Sequence, residues 1–202
     1  MIAPTDFSQE LELYLYLSSK VQVAFKLPAA QLLKDGGCAL PQQAWWSLWR
    51  CDLLKTEASG QQHVLLFTNA TTCLSFVCVG FSDDFEGLLA EFEAVFVSSL
   101  KANGLQLPEN VTTQMRLLKG QPRALIGTMK QLSQYALNLM DQHQASLAEV
   151  EMRLHDYPCS VLKDQYPGRA YLRQLDANPP LGAPLSLPDN VLIPFPGAPS
   201  EL

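Results

Sequence analysis

The stretch His63–Phe85, "HVLLFTNATTCLSFVCVGFSDDF", decides how the rest of the chain is read. Two short runs of strand-forming residues, "HVLLFTN" and "CLSFVCV", flank Asn69-Ala70-Thr71-Thr72, and a helix start follows at "SDDF". Such runs, bounded by turn residues, predict two consecutive antiparallel strands. In the second run Leu74, Phe76 and Cys78 fall on one face, and Cys73, Ser75, Val77 and Val79 on the other. Both faces are largely apolar, which predicts a sheet covered at least partly on both sides.

Working outward toward the N-terminus, "EASGQQ" reads as a turn, because Ser59-Gly60 separates two apolar runs. "AWWSLWRCDLLKT" (Ala44 to Thr56) before it reads as an aromatic-rich strand, with Trp45 and Trp49 on one face and Trp46 on the other. "LELYLYLSS" (Leu11 to Ser19) alternates, leucines one way and tyrosines the other, and predicts a further strand. In "LPAAQLLKDGG", Pro28 suits a helix start and Gly36-Gly37 a stop.

After Asp84 the period changes. Phe85, Leu88, Leu89, Phe92, Val95, Phe96 and Leu100 recur at helical spacing, with Ser82 as the expected N-cap and Asn103-Gly104 as the stop. A second helix is predicted over Pro122 to His143. A third, about Ser146 to His155, ends before Pro158, and "YPGRAYLRQL" offers a last turn or two. Strands followed by helices predict an α+β domain over residues 1–175: a small antiparallel meander packed against about three helices. Phe76, Phe92, Phe96 and Leu132 are expected in one contiguous core. From Asp176 the composition breaks: residues 176–202 hold seven of the fourteen prolines and predict an extended Pro-rich arm. Leu192, Ile193 and Phe195 make that arm too apolar for an ordinary linker.

The totals narrow the function. The 202 residues are 48% hydrophobic, enough for one sizeable core, and only 17% charged. A net charge of -6 disfavours nonspecific attraction to nucleic acid or an anionic membrane. No apolar run is long enough to span a bilayer, and no secretory leader is evident, so a cytoplasmic chain with reduced thiols is expected. The sequons at Asn69 and Asn110 are then idle.

Candidate chemistry competes with plainer readings. Cys73 and Cys78 lie on opposite strand faces, cannot pair with each other, and read as core thiols. His63, His143 and His155 lack metal-ligand spacing, so neither a metal nor a cofactor is expected. Arg116, Lys119, Arg123 and Lys130 form a basic run with no acid, placed about a helix start where an anion is favoured. A phosphate, a nucleotide, or the acidic Asp83–Glu93 face of the same molecule would each answer that charge. Trp46 stands as a partner anchor against a buried aromatic layer.

The pattern "WWSLWRCDLL", "HVLLFTNATTCLSFV", "LKGQPRALIGTMKQL", "RLHDYPCSVLKDQYPG", from Trp45 to Leu175, resembles a bacterial family of unknown function made up of hypothetical, often plasmid-associated proteins. That family shows basic residues before its LLFTN strand, where this chain has Gln61-Gln62-His63. It shows G-S-M-N where this chain has Gly127-Thr128-Met129-Lys130. The resemblance implies a fold and no established activity. The leading expectation is a non-enzymatic interaction protein, a regulator or inhibitor in a bacterial or mobile-element system, with a protein partner or self-association through Leu192, Ile193, Phe195 and Trp46. The alternatives are nucleotide or nucleic-acid binding through Arg116–Lys130, and an enzyme with a dispersed site.

Overall fold

A computed structural model describes residues 10–34, 44–108, 111–119, 123–163 and 165–182. The order is β1 (Glu10–Leu17), α1 (Ser19–Ala24), β2 (Leu33–Lys34), β3 (Leu48–Thr56), β4 (Gln62–Asn69), β5 (Ser75–Phe81), α2 (Phe85–Ala102), β6 (Thr112–Lys119), α3 (Arg123–Gln142), α4 (Leu147–His155) and α5 (Pro167–Ala177). The class is α+β.

The six strands form one sheet in the order β2-β6-β1-β3-β4-β5. The expected meander is present as β3-β4-β5, antiparallel throughout. The expectation of a wholly antiparallel sheet is corrected, because β1 lies parallel to both β3 and β6, and β2 lies parallel to β6. Strand β6 was not expected at all. In "TTQMRLLK", Met115 and Leu117 pack toward the main core while Leu118 turns to the other face. Its charges mask that alternation when the segment is read as a basic run.

Strand alternation sorts the core into two faces. Leu11, Leu13, Leu15 and Leu17 of β1 join Trp49, Phe67, Phe76 and Cys78 on the first, as the leucine–tyrosine alternation predicts. Helices α1, α2 and α5 cover this face with Val21 and Phe25, then Phe92 and Phe96, then Tyr171 and Leu175. Leu66, Cys73 and Val77 face the other way, under Met129, Leu132 and Ala136 of α3 and Val150 and Leu154 of α4. The domain is therefore layered with helices on both sides of the sheet, five among the described residues rather than about three. The single core expected of Phe76, Phe92, Phe96 and Leu132 is corrected: Leu132 lies across the sheet from the three phenylalanines.

Local chemistry explains the remaining differences. The first helix is α1, capped by Ser18, whose Oγ accepts from Val21 N–H. After Pro28 there is only a 3-10 turn, Ala29–Gln31, leading into β2. Gly36 and Gly37 lie outside the described residues. Helix α2 is capped by Asp84, which accepts from Gly87 N–H at 2.8 Å, because the Ser82 hydroxyl is engaged elsewhere. Helix α4 opens on a capping box between Ser146 and Glu149. His143, the expected last residue of that helix, lies just past α3 and is exposed.

Candidate functional site

An open groove of about 560 Å³ runs between α1 and the β3–β4 hairpin. Lys20, Val23 and Ala24 of α1 line it together with Leu53, Thr56 and His63 of the hairpin. Val23 is 77% exposed, an apolar side chain left in water on an otherwise ordered helix. The hairpin's position follows from Gly60, whose φ of 70° permits the tight turn.

His63 is 3% exposed and held on both ring nitrogens. Nδ1 lies 3.0 Å from Thr56 Oγ1, and Nε2 lies 2.9 Å from Ser82 Oγ. Phe25 presses edge-on to the imidazole, with centroids 5.1 Å apart. The Ser82 hydroxyl donates to Gly60 O at 2.6 Å, its shortest contact. Nε2–H then donates to Ser82, and the Thr56 hydroxyl donates to Nδ1. A nucleophilic serine needs the opposite proton direction and free donors for an oxyanion. Here Ser82 N–H is spent on Gln61 O and Asp84 N–H on Phe81 O. His63 thus serves as a rigid tie between strand and turn.

The four described cysteines are all buried and follow the core reading. Burial pushes the Cys51 and Cys78 thiols well up, so both stay protonated and unreactive near neutrality. Cys73 and Cys78 do point to opposite faces. Unforeseen is that Cys73 and Cys159 come to lie in the same core face. The signal was weak, because 86 residues separate two thiols of ordinary local context.

A second arrangement escaped the sequence reading. β5 is the last strand of the sheet, and side chains occupy its outward groups. His155 Nε2 donates to Ser75 O at 3.1 Å and Glu151 accepts from Val77 N–H at 2.6 Å, while the Val79 backbone acts on the Glu91 carboxyl from the same strand. Burial pushes the Glu151 carboxyl up to about 7, with Glu91 adding repulsion. Burial likewise raises Glu91 and holds the His155 imidazole down to about 4. Two helices on opposite faces thus close one edge against strand addition.

The basic run is divided between elements. Arg116 lies on β6 and meets Glu12 of β1 at 3.4 Å and Gln114 at 2.9 Å, so its counter-charge comes from the neighbouring strand rather than from the Asp83–Glu93 face. Lys130 is exposed on α3. The side chains of Lys119 and Arg123 lie outside the described residues. Trp46 precedes β3 instead of lying within it. It is half-buried against the first core face beside Trp45, so the expectation that it takes the opposite face is corrected. Trp45 donates Nε1–H to Asn178 O at 2.7 Å. Leu192, Ile193 and Phe195 lie outside the described residues, whereas Leu181, at the start of the expected arm, packs on the first core face.

Asn69 is the hub of the "NATT" connection. Fully buried, it donates to Trp45 O and accepts from Thr71 N–H, Thr72 N–H and the Thr72 hydroxyl. A glycan at this sequon would have no room.

With this geometry in view, the comparison with known families has a clear result. Residues 14–170 match a domain of unknown function, DUF6933. The chain belongs to that family. The match begins within β1 and ends within α5, so it takes in the sheet from β1 to β6 and both helical layers. No curated protein and no solved structure matches the chain. Among the described residues no helix is long and apolar enough to cross a membrane, and no cluster of metal-ligating side chains occurs.

Proposed function

We propose that the protein is a non-enzymatic interaction protein that self-associates, the groove beside α1 receiving the Val191–Phe195 segment of a second copy. The observation that carries this reading is the groove itself: apolar lining residues, a rigidly held His63 and an exposed Val23. A partner burying Val23 and Leu53 removes apolar surface from water, at about 25 cal/mol per Å². The Val191–Phe195 sequence has matching chemistry, with four bulky apolar residues beside Pro194 and Pro196. Proline restricts the free segment and lowers the entropy lost on docking. Asp189 nearby in sequence complements Lys20 on the groove. The half-buried Trp46 is a further contact for a partner. A regulatory or inhibitory role, in the bacterial setting that the resemblance implies, would act through occupancy of this groove.

Sedimentation velocity over a range of concentrations tests the reading. Wild type associates as concentration rises, and Val23→Asp does not, because the exposed side chain can be changed without touching the core. A wild type that stays monomeric at every concentration contradicts it. Nucleotide or nucleic-acid binding through Arg116–Lys130 has less support, since Arg116 is already neutralised by Glu12. A saturable rise of melting temperature with phosphate, lost when Lys119 and Arg123 are replaced by alanine, would restore it.

A further inference from the structure

Strand β3 outruns its neighbour. β1 pairs with it only from Leu48 to Cys51, and Ser18 N–H then donates to Cys51 O at 3.0 Å. There the chain leaves the sheet as α1, while β3 continues to Thr56 with β4 on its other side. Among the described residues, no strand lies beside Asp52–Thr56 where β1 has ended. The open groove follows this stretch, for it is lined by Leu53 and Thr56 of β3 and by Lys20, Val23 and Ala24 of α1.

Alternation fixes which main-chain groups point outward. Cys51 O faces β1, so the main-chain groups of Leu53, two residues on, face the same way past the end of β1. Leu53 N–H donates to Asp52 Oδ1 at 3.2 Å, the side chain of its own neighbour, rather than to another strand. The register shifts between Leu53 and Lys55, and Thr56 lies opposite His63 beyond the shift. Such an irregularity is common on an uncovered edge.

We propose that Val191–Phe195 of a second copy occupies the groove as an added β-strand, hydrogen-bonded along the open edge of β3 at Leu53 and Thr56. The inference rests on self-association through this groove and specifies how the segment is held. The sequence carries the pattern that such docking needs. Pro184, Pro188, Pro194 and Pro196 all stand at even positions. An extended chain directs the main-chain groups of alternate residues to opposite edges, so all four missing donors fall on one edge. Leu185, Leu187, Asp189, Val191, Ile193 and Phe195, at odd positions, keep their donors on the other.

Proline is tolerated in a strand when its lost N–H faces solvent. The donor edge is therefore free to pair with β3, and main-chain bonds of this kind supply affinity in strand addition. The proline edge faces outward and stops a further strand from adding outside it. The same alternation gathers the Val191, Ile193 and Phe195 side chains on one face, as a segment that covers apolar surface requires.

The full chain, at a concentration where it associates, is mixed with synthetic peptides of residues 183–202 and followed by sedimentation velocity. The unmodified peptide should compete for the groove and return the chain to monomer. N-methylation of Leu192, on the proline edge, should leave that competition unchanged. N-methylation of Ile193, on the donor edge, should weaken it about tenfold or more, because one hydrogen bond is lost and a methyl group is set against β3. Equal behaviour of the two methylated peptides, or the reverse order, would overturn strand addition. Self-association through the groove would then still stand on the unmodified peptide. A chain that never associates, or an unmodified peptide without effect, would remove both. Hydrogen exchange of the full chain adds a second readout: the Leu53 and Thr56 amides should slow as the chain associates. Protection that persists at dilutions where the chain is monomeric would assign the place to its own arm and overturn the second copy.

Discussion

Glu151 of α4 accepts a 2.6 Å hydrogen bond from the main-chain N–H of Val77, on the outer side of the last strand of the sheet. An unpaired strand edge is a template for association, and a carboxylate placed over its donors blocks it. The same placement costs Glu151 its hydration, which is why its carboxyl is pushed up to about 7.

That shift has a pH signature. A carboxyl raised in the folded state favours folding most below its ordinary value of 4.5, and the contribution is lost as pH rises through about 7. His155, held down to about 4 from 6.5, acts oppositely: its contribution is present above 6.5 and lost as pH falls toward 4. The two partly cancel in wild type. Glu151→Gln keeps an acceptor for Val77 and removes one of them. Relative to wild type, the variant should gain on the order of 2 kcal/mol between pH 4.5 and 7, after discounting for solvent screening. Urea unfolding at several pH values measures this, and a difference independent of pH would remove the burial argument.

Phe92 is the centre of the first core face. It is fully buried, stacks on Phe67 with centroids 4.2 Å apart, and meets Trp49 edge-on at 5.1 Å. Phe92→Ala should cost about 3–5 kcal/mol, from lost transfer energy and the cavity left behind. A midpoint of denaturation close to wild type would mean that α2 does not seal this face.

Asn69→Asp tests the turn hub. The substitution keeps the acceptor oxygen and the shape but removes the donor to Trp45 O and brings a buried charge. The expected cost is roughly 1–3 kcal/mol at neutral pH, shrinking on acidification as the new carboxyl takes up a proton. A cost unchanged at low pH would place the penalty elsewhere than in the charge.

What could be read in advance was local. Leucine–tyrosine alternation in β1, the two faces of β5 and the Ser146 cap of α4 each depend on residues a few positions apart. The parallel pairing of β1 with β3 and β6 depends on partners far along the chain, and nothing in "LELYLYL" names them. Strand β6 is masked in the sequence because Arg116 and Lys119 interrupt its alternation with charge. Ser82 suits an N-cap by residue type, whereas His63 and Gly60 claim its hydroxyl. The groove was illegible for a similar reason: Val23 looks like a core residue until the helix axis shows that Val21 takes that place. Of the candidate contacts, only Trp46 could be located by its side chain, and it proved to be a turn residue half-buried against the core.

The groove reading stands or falls on what occupies it. Amide spectra of the isotopically labelled full chain, compared with a chain lacking residues 183–202, measure that directly. If the segment docks, signals from Val23, Leu53, Thr56 and Gly60 shift on deletion, those of the Phe67–Phe92 core stay in place, and a synthetic peptide of residues 183–202 restores the groove signals. Unmoved groove signals, with no response to the peptide, would contradict it.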